Sequence, residues 1–509
     1  MMELGTQQPR GTRRLIYVSD PSNTTSRLGD PTTEEDLRNV VRNYARGKID
    51  TAVQEIFAEC MTMFWRNDIC PYDIRPHHQR MVPMMDAGTM PVEIYIDECH
   101  KQGMEFLAGF RMNDRHGHHP EYFKMLCEEK PEWVLREYKP SWRGAPQESH
   151  EYGCSLNYAV EGAREFLLSI IEAAVSRFDL DGVELNYTRL VECFPRDEAA
   201  GSSPIMTDFI RRVREILDAK DGRKLILGVR VPQQLAGCLA WGLDIPTWMR
   251  KGLIDFVAPG DFGFTDFNEK WENFTSIARE TDCLVYPQTQ PKIGIELNRT
   301  TVMSYAQYRA ALTNIYAAGA DGFSVQNHFF HWGLFNVGTE PDGKAPAYPP
   351  NVGGYPEPFD DMAKLTDPSA LADAERHYTF LPLWGDRQDG RGMSYIYEKE
   401  EIRLNRSEEK PTGSFRFRVY EEMPKRKSEG CRLIIQAIGL NVTDQLVASI
   451  NGIAADDIVW DCESDPATGT ILISDPPFKR GDNELGLGLV ACDTKDGEIL
   501  VEQLDCYVT

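Results

Sequence analysis

Glu184 and Asn186 stand two residues apart in GVELNYTR (182–189), inside an otherwise apolar run. Side chains alternate along an extended chain, so these two share one face with Thr188, while Val183, Leu185 and Tyr187 take the other. A carboxyl withdrawn from water must be paired or protonated, because burying it uncompensated costs several kcal/mol. Among neutral donors and acceptors such a group can move a proton or hold a polar ligand. Other apolar runs also end in polar groups. Arg111, Asn113 and Asp114 close EFLAGFRMND, Arg230 closes LILGVRVP, and Asp261 follows IDFVAPG. Tyr286 and Gln288 lie in CLVYPQTQ, and Gln326, Asn327 and His328 in DGFSVQNHFF. For Glu184 the bland alternative is a structural ion pair with Arg111 or Arg230. Polar groups converging from several run ends point instead to a site for a polar ligand.

The elements that must position these groups alternate from residue 13 to about 375. Eight short apolar runs, RLIYVSD, DTAVQEIF, EFLAGFRMND, GVELNYTR, LILGVRVP, IDFVAPGD, CLVYPQTQ and DGFSVQNHFF, are each followed by a stretch of helical period. Eight β-then-α units predict an α/β chain folded as a (β/α)8 TIM barrel over residues 10–375. The competitor, a doubly wound open sheet, carries a Gly-rich phosphate loop after its first strand, and YVSDPSNTTSRLGD is not one. Asp50, Asp181, Asp255 and Asp321 open the even-numbered strands and read as turn and cap residues at the N-terminal face. The long loops 58–89, 115–158 and 331–358 follow strands 2, 3 and 8, on the face where barrels carry their sites.

Beyond about residue 378 the runs are short and alternating, separated by turn signals such as SING, FKRGDN and TKDGE. They predict an antiparallel, jelly-roll-like β-sandwich over 385–509. LVASINGI followed by FKRGDNELGLGL is similar to galactose-binding-like jelly rolls. A structural accessory role, packed on the barrel, is the simpler expectation for it.

GMEFLAGFRMND, FDLDGVELNYTR, LILGVRVP, GLIDFVAPG and AGADGFSVQN resemble a bacterial family of glycoside-hydrolase-like (β/α)8 barrels that commonly end in a β-sandwich. The wider group carries D-G-x-x-x-D-Y-x-R on strand 4, with the second Asp suspected as nucleophile. Here that position is Asn186, with Arg189 three residues on. An amide cannot be the displacing carboxylate. Either Glu184 has taken over, or the mechanism is not a two-carboxylate retaining one, or the chain is a substituted form.

The resemblance implies hydrolysis of O-glycosidic bonds in a poly- or oligosaccharide. That reaction needs two carboxyls, about 5 Å apart for retention and roughly 6.5–9.5 Å for inversion. Glu184 is the first choice for one role, Asp261 for its partner, and Asp114 the second choice. Arg111, Asn113, Asn186, Arg189, Arg230, Tyr286, Gln288, Gln326, Asn327, His328, His116 and Trp332 form the expected substrate-binding set. Arg111 and Arg230 suit an anionic sugar, because guanidinium matches oxyanion geometry. The run RHGHHP lacks an acidic ligand at zinc spacing, so neither metal nor cofactor is expected. Two other readings remain open: a non-catalytic carbohydrate-binding barrel, which Asn186 favours, and a sugar-acid lyase or isomerase.

The formal charge of −24 opposes a nucleic-acid or anionic-membrane partner, both of which need basic patches. No apolar run approaches the ~20 residues that span a bilayer. The start lacks a signal peptide, and the twelve scattered cysteines read as free thiols. The expected location is therefore cytoplasmic, with a trimmed leader left open. A homo-oligomer is compatible with everything above.

Overall fold

The computed structural model describes residues 10, 15–26, 28–58, 61–113, 126–135, 155–188, 190–220, 222–261, 265–293, 301–326, 357–381, 402–421, 431–455, 458–464, 466–473 and 478–508. Eight parallel strands are β1 (Leu15–Ser19), β2 (Thr51–Phe57), β3 (Glu105–Arg111), β4 (Gly182–Asn186), β5 (Ile226–Pro232), β6 (Phe256–Gly260), β7 and β8 (Phe323–Gln326). β7 comes in two parts, Leu284–Val285 and Gln288–Thr289, split at Pro287. The first part pairs with β6 and the second with β8, while β8 pairs with β1. The sheet therefore closes on itself through residues 284–289, which excludes the open doubly wound sheet.

Helices follow the strands in turn: α1 (Glu34–Arg46), α2 (Pro91–Lys101), α3 (Glu161–Arg177), α4 (Ser203–Asp218), α5 (Ile245–Arg250), α6 (Glu272–Ala278), α7 (Tyr305–Ala317) and α8 (Glu357–Lys364). α1 shows why such stretches fold locally. Thr33 and Asp36 form a reciprocal capping box, and Leu37, Val40, Val41 and Tyr44 make the i, i+3, i+4, i+7 stripe that packs inward. α8 returns to α1, where Asp360 pairs with Arg46 and Phe359 packs near Tyr44.

The four Asp at the even strands act as clips. Asp50 accepts from Leu15 N, Asp181 from Phe106 N, Asp255 from Leu227 N and Asp321 from Val285 N, at 2.7–2.9 Å. Each thus ties the entry of its own strand to the preceding odd strand. Above the clips, Ile16, Val18, Val53, Leu107, Phe256, Ala258 and Tyr286 fill the barrel with an apolar layer. The polar strand ends stand on that floor.

Two larger antiparallel sheets follow the barrel among the described residues. Thr412–Val419, Gly481–Ala491, Gln445–Ile450 and Ile453–Ala454 form one; Arg376–Phe380, Glu498–Val508, Arg432–Ile438, Ala467–Leu472 and Val459–Asp461, with Arg403–Asn405 also pairing Glu498–Val508, form the other. The SING signal is a tight hairpin turn with positive φ at Asn451 and Gly452. Residues 376–380, just past the predicted end of the barrel, join the second of these sheets. Arg376–Phe380 pairs with Glu498–Val508, His377 stacking on Tyr507 at 4.1 Å. Among the described residues no helix is long and apolar enough to cross a membrane. The described cysteines are free, eight of them buried.

Strand 412–419 docks on the barrel after β6. Arg416 and Asn268 exchange backbone-directed bonds, Arg418 reaches Glu272, and Asn314 on α7 bonds the carbonyls of Phe267 and Arg418. Glu269 lies buried at this seam, and burial, reinforced by Asp266, pushes its carboxyl up to about 8. A carboxyl raised above its unfolded value (about 4.3) keeps its proton longer in the folded chain. It therefore lowers stability as pH rises from about 4 through 8. The stability difference between wild type and Glu269→Gln, measured by urea unfolding, should grow across that window; a constant difference would contradict the placement.

Candidate functional site

The polar layer above the apolar floor is built by parity and by one gap. Glu55, Gly109, Glu184 and Gly228 are register partners across β2 to β5, so the carboxyls alternate with glycines at one level. A Cβ at Gly109 would come within 3.0–3.1 Å of Glu55 and Val53. Its absence lets the Glu55 side chain cross β3 and reach Asn186 on β4.

Two ion-pair clusters result. In the first, Arg230 holds both oxygens of Glu184, through Nε at 3.0 Å and Nη2 at 2.9 Å. The same guanidinium bonds Ser324 Oγ at 2.8 Å and the Gln288 side-chain oxygen. In the second, Arg111 is shared by two carboxyls, Glu55 at 2.6–2.8 Å and Asp20 at 2.5 Å. Asn186 donates Nδ2 to the other Glu55 oxygen at 2.9 Å, and its Oδ1 accepts from Thr188 N and Oγ1. Those two donors at Thr188 fix which way the amide faces. Glu55, Glu184, Arg111 and Arg230 are at most 1% exposed. Burial pushes the Glu55 carboxyl up; Arg111 opposes this and Asp20 adds to it.

Around this core the loops are pinned. Asp20 accepts from Ser22 N, and Ser22 Oγ meets Arg75 Nη2 at 2.7 Å and His78 Nε2 at 3.0 Å. The loop after β2 is thereby tied to the end of β1. On the opposite side, the Asp261 carbonyl accepts from Gln288 and Gln290, and Gln290 also reaches Gln326.

Glu184, Asn186, Arg111, Arg230, Gln288 and Gln326 thus face the barrel interior at its C-terminal end, as parity predicts; Tyr187 faces outward and its hydroxyl meets Met206 Sδ on α4. Asp261 is buried beside β6. Asn113 does different work: both amide atoms brace loops, Nδ2 on Glu192 O and Oδ1 on Leu156 N. Tyr286 sits lower, edge-on to Phe256 in the apolar floor. Asp114, His116, Arg189, Asn327, His328 and Trp332 lie outside the described residues. Sequence reading passed over Asp20, Glu55 and Gln290. Asp20 and Glu55 were accessible to the rule that selected Glu184, a carboxyl on the inward parity of an apolar strand. Among the described residues no cluster of acidic, His or Cys side chains could hold a metal.

Residues 24–203 match the family Glycosyl hydrolase-like 10. They carry β2, β3 and β4, and with them Glu55, Arg111, Glu184 and Asn186. The resemblance drawn from the strand motifs is borne out by that match. No curated protein matches the chain. Similar solved structures include the α-L-fucosidase isoenzyme 2 from Paenibacillus thiaminolyticus, 14% identical over 70% of this chain and 49% of that one, TM-score 0.43. An α-amylase from Anoxybacillus is 14% identical over 95% and 99%, TM-score 0.40. An endo-1,4-β-mannanase from Rhizomucor miehei is 12% identical over 70% and 97%, TM-score 0.41. The chain spans about half the length of that fucosidase.

Proposed function

We propose that this chain is a glycoside hydrolase that cleaves O-glycosidic bonds in a poly- or oligosaccharide. In this reading, residues 10–375 form the catalytic unit and 385–509 an accessory unit that braces it. The observation that carries the reading is the buried carboxyl–guanidinium–amide layer at the C-terminal strand ends, within a stretch matching a glycosyl hydrolase-like family. Glu184 is the central carboxyl, with Asp261 after β6 as its partner and Asp114 the second choice. Asn186 positions Glu55 and tunes the charge around Glu184.

The guanidiniums bear on the substrate. Arg111 and Arg230 each already face carboxylates, so an anionic sugar would have to displace those partners to use them. A neutral sugar needs no such exchange and is favoured. A cytoplasmic location accords with the buried free thiols.

The test is release of reducing ends from starch, β-mannan, fucosides and uronate-containing oligosaccharides. New reducing ends with uptake of water support hydrolysis. An unsaturated product absorbing in the ultraviolet would make the chain a lyase, and binding without turnover a carbohydrate-binding barrel.

A further inference from the structure

Gln326, on the inward parity of β8, is fully buried, and its side-chain Nε2 has no hydrogen-bond partner among the described residues. Its oxygen accepts from Gln290 Nε2 at 3.3 Å. Gln290 is held in place from outside the pair: its backbone N–H donates to Thr265 Oγ1 at 2.8 Å, and Thr265 Oγ1 donates to Gln290 O at 3.0 Å. Gln290 Nε2 also donates to Asp261 O at 3.2 Å. An amide NH2 with nothing to donate to is a cost in a folded protein, and buried donors of this kind are few. Such local inconsistencies concentrate at functional sites. Gln54 Oε1 on β2 is likewise buried without a partner among the described residues, but it is an acceptor, whereas Gln326 presents an unspent donor.

We propose that the Gln326 amide is a ligand-binding donor, aimed at an acceptor oxygen of a bound sugar: a hydroxyl or a ring oxygen. The proposal rests on the glycosidase reading and adds a subsite to it on the β7–β8 side. Gln290 orients the donor by occupying the Gln326 oxygen, so the NH2 faces the ligand. An acceptor is required there. An ammonium or other pure donor on the ligand would leave the site as unsatisfied as it is without one.

The substitution that separates binding from structure is Gln326→Met, which keeps length and apolar stem while deleting the orphan donor. Gln290 Nε2 then loses one acceptor but keeps Asp261 O. Without sugar, thermal unfolding of the variant should move up, by about 2 °C, since an unsatisfied buried group is removed. A stabilising change at a binding residue is the usual signature of a site held ready at a cost to stability. With glucose, mannose, galactose, fucose and glucuronate as probes, followed by saturation-transfer NMR, the sugars that wild type binds should bind about tenfold more weakly. A lower unfolding temperature would make Gln326 a structural residue and overturn the proposal. So would equal sugar binding by wild type and variant. A wild type that binds none of the five probes would remove the glycosidase reading, and this subsite with it.

Discussion

Glu184→Gln should lower turnover by about three to five powers of ten while sugar binding survives. Removing a catalytic carboxyl takes away transition-state stabilisation but leaves the shape of the pocket. The structure gives this expectation a sharp rival. Both Glu184 oxygens already receive Arg230, and the pair is out of water. A Gln at 184 can accept at one oxygen, but its NH2 would face a guanidinium N–H. Part of the buried pair is lost, and breaking such a pair outright costs about 3–5 kcal/mol. Ser324 and Gln288 keep their bonds to Arg230, so the loss should fall below that figure. Initial rates, sugar affinity and urea midpoints measured on one preparation separate the two roles. Loss of rate with affinity retained marks Glu184 as the reacting carboxyl. A variant that is destabilised yet turns over at more than a tenth of the wild-type rate marks it as a counter-ion only.

Asn186→Asp should destabilise the chain by about 3 kcal/mol at neutral pH, and acid should relieve the loss. Asn186 donates to Glu55 Oε1, and its own oxygen is taken by Thr188. An Asp there sets carboxylate against carboxylate at 2.9 Å in a site sealed from water. One of the two must hold a proton. That group then has a folded-state affinity for protons above its unfolded value of about 4. The folded state binds more protons than the unfolded one, so stability falls as pH rises. The penalty vanishes below about pH 4 and is complete above the raised value. Urea unfolding from pH 4 to pH 8 should show this slope in the variant, steeper than in wild type. A pH-independent loss would mean that Asn186 is not facing Glu55. If wild type is inert and Asn186→Asp turns over sugar, the chain is a substituted enzyme and the hydrolase reading of the natural sequence fails.

Much of this site was legible as parity. The alternation that placed Glu184 and Asn186 on one face also put Tyr187 against α4, and both hold in the structure. The strand-then-helix rhythm was strong because each helix carries its own apolar stripe and most have a cap or a proline at the start. Glu55 was missed although it obeys the same rule: it lies on the inward parity of DTAVQEIF, facing the barrel with Val53. Its reach to Asn186 depends on the missing side chain at Gly109, a three-dimensional gap that alternation does not reveal. Arg111 and Arg230 were expected to be open to ligand. Their carboxylate partners come from β1, β2 and β4, at sequence separations of 46 to 91 residues. The break in β7 follows from Pro287, and closure of the barrel across it depends on pairing with both neighbours. Asn113 had the right parity but lies past the end of β3, where loops claim both of its amide atoms.

Digestion of an oligosaccharide mixture in heavy-oxygen water, read by mass spectrometry, bears most directly on glycosidic hydrolysis at the β4 carboxyl. Wild type should place one heavy oxygen at each new reducing end, and Glu184→Gln should place almost none while still binding the sugars. Unsaturated products, or no new reducing ends from a wild type that binds sugar, would contradict it.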